Sequence, residues 1–315
     1  MSCCCKRLRQ PWTIWVKLWA RTDMDWHSRR ISSILEHALL EDKATSDATS
    51  RMCIDPQQRA TATIIARQDC VLAGLGAISG ILEIYERLDM NAIGHPEVIS
   101  HGEIFDGVRL HKGQSIAVIR HNARVLLSCE RVMLNVLQRL SGIATLTRKF
   151  VDAVQGTNAH ILDTRKTVPG LRALDKYAVR CGGGQNHRLD LSDGVLIKNN
   201  HIALAGGVGA ALQKALKNRR GEQPIEIEVR TLGELEEALN NGAEAVLMDN
   251  MNVEEVRRGV ERIRNHSRRI PMEVSGGIRL DNVRGYAEAG VDYISVGALT
   301  HSPTAVDLSM RIFPA

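Results

Sequence analysis

The 315-residue sequence predicts an α/β protein in two parts. A mixed α/β domain with antiparallel character comes first, and a parallel α/β barrel follows. Three observations predict this. In the second half, AHILDTRK, GVLIKNN, PIEIEVR, AEAVLMDN, IPMEVSGG and VDYISVGA are six short apolar runs, each closed by a polar residue or glycine. Helix-compatible stretches follow most of them, and their terminal residues stand 21 to 33 positions apart, the length of consecutive βα units. In the first half, ATIIARQDCVLAGL and FDGVRLHKGQSIAVI instead show apolar alternation broken by DG and KG turns, a hairpin pattern. Finally, no nucleotide-binding fingerprint competes with the barrel. GLGAIS at Gly74 lacks its third glycine, and no GxxxxGK[ST] exists.

In chain order, residues 1–26 form a tail unlike the rest. All four tryptophans lie there, and residues 1–30 carry seven basic against two acidic side chains, which accounts for the whole net charge of +5. The tail reads as a disordered extension or as an upstream start with Met24 as the true first residue. A membrane-surface anchor or a poor signal peptide is the other reading; Lys17 and Pro11 argue against the signal peptide. Ile31, Ile34, Leu35, Ala38 and Leu39 then form a helical stripe, and ISGILEIYERL reads as a second helix. SCERVMLNVLQRLSGIATLTRKFVDAV is one or two helices with a break at Gly142. The domains expected are 27–140 and 141–315, after a tail at 1–26.

Composition narrows the class. Hydrophobics at 44% and charges at 24% suit a globular chain, and no apolar run reaches the ~18 residues that cross a bilayer. Seven cysteines without a CxxC pair argue against a disulfide framework or zinc site, so the body's Cys53, Cys70, Cys129 and Cys181 read as buried hydrophobes in a reducing cytoplasm. A neutral body makes a nucleic-acid partner unexpected.

Barrels hold ligands at the carboxyl ends of their strands. Those ends gather Arg165, Lys166, His187, Arg188 and Lys198 on one side, and Glu228 and Asp249 on the other. Such a mouth suits a small polyanion, because arginine forks bind carboxylates and phosphates bidentately. Ser275, Gly276 and Gly277, then Val296, Gly297 and Ala298, offer approachable backbone N–H groups of the kind that cradle a phosphate. Glu228 and Asp249 serve either as Mg²⁺ or sugar-hydroxyl partners or as plain ion pairs. Arg172, Lys176 and Arg180 read as a solvated helix face, His160 and His201 as structural, and Gly182–Gly184 as a flexible loop.

ERVMLNVLQRLSGIAT, DTRKTVPGLRALDKYAV, GGGQNHRLDLSDGVLIKNNHI, EIEV, LMDN, SGGI and VGALTH together resemble the quinolinate phosphoribosyltransferase family (nicotinate-nucleotide pyrophosphorylase, carboxylating), from about Leu39 to near the C-terminus. The resemblance implies an N-terminal open α/β sandwich followed by an incomplete α/β (TIM-like) barrel. It implies transfer of the phosphoribosyl group of phosphoribosyl pyrophosphate (PRPP) to quinolinate with decarboxylation, using Mg²⁺, in NAD biosynthesis. It further implies a cytoplasmic homodimer, or higher oligomer, in which Arg131 is donated into the neighbouring subunit's site. Thr164, Arg165, Lys166, His187, Arg188 and Lys198 then surround quinolinate's carboxylates and the phosphates. Lys166, Lys198, Glu228 and Asp249 are the catalytic set, with Glu228 and Asp249 facing the ribose hydroxyls and Mg²⁺. The 5′-phosphate falls to Ser275, Gly276, Gly277, Val296, Gly297 and Ala298. The chain departs from the family pattern at His121 and Cys129. Alternatives are a phosphoribosyltransferase for another acid such as nicotinate, a diverged molybdenum-operon paralogue, and, from the tail, a peripheral membrane or nucleic-acid binder.

Overall fold

A computed structural model describes residues 24–89, 95–221, 223–266 and 268–315. Among the described residues the strands are β1 (Arg59–Ala66), β2 (Cys70–Val71), β3 (Glu97–Ile99), β4 (Arg109–Leu110), β5 (Ser115–Asn122), β6 (His160–Leu162), β7 (Val195–Ile197), β8 (Ile225–Val229), β9 (Ala245–Asp249), β10 (Met272–Ser275), β11 (Tyr293–Ser295) and β12 (Leu308–Pro314). They form a four-stranded sheet in the order β12-β1-β5-β3, a two-stranded ribbon β2-β4, and a six-stranded sheet in the order β6-β11-β10-β9-β8-β7.

The first sheet is antiparallel throughout, as the hairpin pattern predicts. Along β1, buried and partly exposed residues alternate, so one face meets a core and the other does not. Its edge strand comes from far away in sequence: β12 pairs with β1 from Ala60↔Pro314 to Ala66↔Leu308. The compact units therefore interleave. Of the described residues, one holds Lys149–Lys166 and Gly184–Gly297; the other holds 24–148, Thr167–Gly183 and Ala298–Ala315. This differs from the linear division at 140/141. The alternation of Leu308, Met310 and Ile312 marks a strand but does not say which sheet it joins.

Other expectations meet specific contacts. The helix after β5 runs unbroken from Ala123 to Ala153. Gly142 is no break within it: a Cβ there would collide with the carbonyl of Thr304, so glycine lets that segment cross the helix. Gly182 is likewise no flexible hinge, since a Cβ would strike Ala144 O and the Thr147 side chain. Of Arg172, Lys176 and Arg180, which share the helix Arg172–Cys181, Lys176 is only 2% exposed rather than solvated. Cys70 and Cys129 are buried as expected, but Cys53 is exposed, and all four described cysteines are free. His121 fills a fully buried position and meets Glu86 Oε1 at 3.0 Å. Residues 1–23 of the tail lie outside the described residues. Trp26 is ordered, edge-on to Tyr177 at 5.6 Å between centroids, so folded structure starts before residue 27.

In the second sheet every strand pairing is parallel. All of β8 and most of β9 are buried, the pattern of strands covered on both faces. The order places the first strand beside the last, which is the cyclic order of an α/β barrel left incomplete between β6 and β7. There the segment before β7 leans on β6 instead: Leu162 bridges Gln185, Gln185 N–H donates to Ile161 O at 2.8 Å, and Asp163 N–H donates to Gln185 O at 3.1 Å. Among the described residues, no helix is long and apolar enough to cross a membrane.

Candidate functional site

Because the six strands run parallel, their carboxyl ends share one rim. The chain passes from β6 into Asp163–Lys166 and from β7 into Lys198. Glu228 and Asp249 lie on β8 and β9, Ser275 ends β10, and Val296–Gly297 follow β11. The structure thus places these residues at that end of the sheet. Arg131 belongs to the other compact unit, on an exposed position of the helix Ala123–Ala153.

The β6–β7 gap is pinned by a carboxylate. Asp163 is fully buried, accepting from Asn186 Nδ2 at 2.6 Å and from the His187 amide at 2.9 Å. Thr164 shapes the next turn by accepting the Lys166 amide on Oγ1 at 3.1 Å. Arg188, 5% exposed, donates from Nη1 to Gly194 O at 2.9 Å. Burial, with Arg165 beside it, lowers the Arg188 pKa, while Glu226, Glu228 and Asp193 oppose the shift. Arginine remains charged under such shifts. Two guanidiniums therefore stand near one another, an arrangement that an anionic ligand relieves.

Opposite them, Lys198 Nζ lies 2.8 Å from Glu228 Oε1. Asn199 Nδ2 lies 3.4 Å from both Glu228 Oε2 and Asp249 Oδ2, so one amide bridges carboxylates from neighbouring strands. Arg230 Nε stands 3.5 Å from Asp249 Oδ2. The sequence reading missed Asn199, although its place just after Lys198 was the available signal. His201, expected to be structural, accepts the Lys198 amide on Nδ1 at 2.9 Å.

At the glycine turn, Gly276 has φ +94°, and a Cβ would collide with the Asn250 side chain. Gly277, at φ +65°, has open space where a side chain would stand. Val296 N–H donates to Leu162 O at 2.9 Å, and Ala298 opens a short helix, Ala298–His301.

His187 departs from expectation. Its Nε2 lies 3.3 Å from Glu226 Oε2 and 3.4 Å from Glu273 Oε2, in the barrel interior, rather than against other cations. Burial opposes the charged ring, yet Glu273 and Glu226 outweigh it and lift the pKa to about 10. Arg188 N–H points at Nδ1 from 2.7 Å, which calls for a lone pair there. Burial and Glu273 also push Glu226 upward. Both observations fit one charge state. Whether the extra proton rests on the ring or on a carboxylate, the trio carries a single net negative charge. Glu226 and Glu273 were missed as well; a carboxylate inside an otherwise apolar strand run was the signal.

The family models that match divide the chain in sequence, between residues 141 and 143. Residues 47–141 match the family model described as "Quinolinate phosphoribosyl transferase, N-terminal domain", and residues 143–311 match its "C-terminal domain". A "Probable nicotinate-nucleotide pyrophosphorylase [carboxylating]" of Bacillus subtilis (strain 168) is 42% identical, over 90% of this chain and 93% of that protein. A mitochondrial "Quinolinate phosphoribosyltransferase [decarboxylating] 2a" of Nicotiana tabacum is 36% identical, over 90% of this chain and 82% of its own. Among solved structures, "NadC from Streptococcus pyogenes" superposes with a TM-score of 0.84 at 35% identity, covering 93% of this chain and 100% of that one.

Proposed function

The chain belongs to the quinolinate phosphoribosyltransferase family, and from that premise we propose that its barrel mouth joins quinolinate to the phosphoribosyl group of PRPP, releasing pyrophosphate and CO₂ and forming nicotinate mononucleotide for NAD biosynthesis. The observation that carries the reading is the facing of two kinds of charge at one rim: Arg165 and Arg188 on one side, and Glu228 and Asp249, bridged by Asn199, on the other.

Arg165, Lys166 and Arg188 receive the two carboxylates of quinolinate. Paired guanidiniums suit a dicarboxylate better than a single carboxyl, which favours quinolinate over nicotinate. The N–H groups around Gly276–Gly277 and Gly297–Ala298, with Ser275, take the 5′-phosphate. The open space over Gly277 supports this, because a backbone without a side chain lets a phosphate approach closely. Thr164 acts through the turn that sets Lys166. We leave His187 out of the anion ring, since its Nε2 faces two glutamates.

Glu228 and Asp249 fit Mg²⁺ by their chemistry, being hard carboxylate oxygens on adjacent strands that converge on one amide at 3.4 Å. When bound there, the ion supplies charge stabilisation to the pyrophosphate. The side chains do the rest. Lys198, on release from Glu228, meets the phosphate negative charge, and Glu228 and Asp249 accept from the ribose hydroxyls. The quinolinate nitrogen forms a bond to C1 of the ribose as the C1–O bond breaks, its electron pair leaving with pyrophosphate. Positive charge on the sugar grows beside these two carboxylates, an electrostatic form of catalysis. The electron pair freed as the 2-carboxylate departs as CO₂ stays on ring carbon 2, where the positive charge of the adjacent quaternary nitrogen stabilises it, and that carbon then takes up a proton. No covalent nucleophile is required.

The active form is a homodimer in which Arg131 of each protomer completes its partner's site; the family resemblance supports this. Free thiols at all four described cysteines support a reducing compartment, the cytoplasm. The test is release of labelled CO₂ from 2-carboxyl-labelled quinolinate with PRPP and Mg²⁺, with nicotinate as the competing acid. Pyrophosphate release with nicotinate but not quinolinate overturns the assignment.

A further inference from the structure

We infer that Glu226 and Glu273 are positioning residues, which hold the His187 ring from inside the barrel and so fix where Arg188 presents its guanidinium. The inference rests on the reading that Arg188 receives a carboxylate of quinolinate. Among the described residues no ladder joins β6 to β7. β6 pairs with β11, β7 pairs with β8, and the segment 184–188 between them meets β6 at the Leu162–Gln185 bridge. An irregular segment at that place owes its position to side chains.

Three tethers do the work. At the start, Asp163 holds Asn186 and the His187 amide. At the end, Arg188 is held by Gly194 O. Between them the His187 ring reaches inward to carboxylates from two other strands, Glu226 of β8 and Glu273 of β10. Both glutamates are buried, Glu273 to 2% exposure, and charged groups are buried this deeply only where something holds them. Glu273 engages the ring through Oε2 alone; its Oε1 has no hydrogen-bond partner among the described residues. A carboxylate buried with half its capacity unused is costly as a stabilising device, which favours a role in geometry. The ring and Arg188 are also linked directly, by the Arg188 amide at 2.7 Å from Nδ1. Displacing the ring therefore moves the arginine's own backbone.

The test compares Glu273→Met, which keeps the shape and loses the acceptor, with Glu273→Gln, which keeps an acceptor oxygen. Steady-state kinetics are measured for both substrates on the full chain. Glu273→Met should raise the KM for quinolinate about tenfold or more and leave the KM for PRPP within about twofold, as loss of a charge-assisted contact to one substrate does. Glu273→Gln should restore the quinolinate KM to within about threefold of wild type, because the ring N–H keeps its acceptor. In an Arg188→Met background, Glu273→Met should add nothing, since both changes act through one contact. Should Glu273→Met fail to fold, Glu226→Met takes its place, its carboxylate standing 3.3 Å from the same nitrogen. Equal rises in both KM values, an unchanged quinolinate KM, additive effects in the Arg188→Met background, or failure of both Met variants to fold would each overturn the proposal. Wild-type protein that releases no CO₂ from quinolinate would instead remove the functional reading beneath it.

Discussion

Lys198 and Glu228 neutralise one another at 2.8 Å, the lysine half exposed and the glutamate 8% exposed at its side chain. The pair stands at the rim, where a phosphate-rich substrate adds negative charge beside the lysine. Replacing Lys198 with Met should lower kcat/KM for PRPP roughly ten- to a hundredfold, the worth of a charge-assisted contact of about 1.5–3 kcal/mol. Because the lysine is half exposed, its pairing adds little to stability. The melting temperature should stay within a few degrees of wild type by differential scanning fluorimetry. A variant that binds PRPP normally would move the phosphate site elsewhere.

Gly276 and Gly277 both have left-handed backbones but differ in what surrounds them. Alanine at Gly276 meets the Asn250 side chain as well as the strain of φ +94°, whereas alanine at Gly277 meets only strain at φ +65°. Left-handed strain costs of order 1–3 kcal/mol, and the clash adds to it. Urea unfolding should show Gly276→Ala as the less stable of the two. Gly277→Ala should instead show its larger effect in the KM for PRPP. The reverse ranking by urea midpoint would mean that Asn250 moves aside freely.

The trio of His187, Glu226 and Glu273 predicts a pH dependence of stability. The folded chain lifts the His187 pKa to about 10, against about 6.5 for the unfolded side chain. The folded state holds the proton more tightly, so its stabilisation is complete below about pH 6.5 and declines as pH rises toward about 10. Urea midpoints followed from pH 6.5 to 10 should fall more steeply in wild type than in His187→Gln. Parallel curves would mean that the trio's extra proton is not bound in the fold.

Arg131 gives a complementation test. If each protomer donates it to the other's site, Arg131→Ala and Lys198→Met proteins are each poorly active alone. Mixed and re-equilibrated, they form heterodimers with one fully intact site. Activity of the mixture should then exceed the sum of the two. No gain after subunit exchange, verified by tagged pull-down, would place Arg131 in its own protomer's site or outside any site.

The six barrel strands were legible because each apolar run ends in the group that its strand presents; Glu228 and Asp249 could be placed from the letters EIEV and LMDN alone. Facing direction was harder to read. Glu226 is two residues from Glu228 and shares its side of β8, but fully buried strands show no alternation that separates the interior from the helix-covered face. His187 was read as one cation among several, because only the β6–β7 gap turns it inward. Gly142 looked like a break for a related reason. A glycine within a helix signals either weakness or close approach, and only the crossing of Thr304 decides. Lys176 is spaced like a surface residue yet is only 2% exposed.

The pairing of β12 with β1 has a consequence for synthesis. While a ribosome is still making residues 300–307, β1 and β5 exist but the outer edge of their sheet does not, and unpaired strand edges invite association with other chains. A frameshift or early stop that removes Leu308–Pro314 leaves every mouth residue in place yet uncovers that edge. Such truncated chains should accumulate as aggregates rather than as a soluble, weaker enzyme.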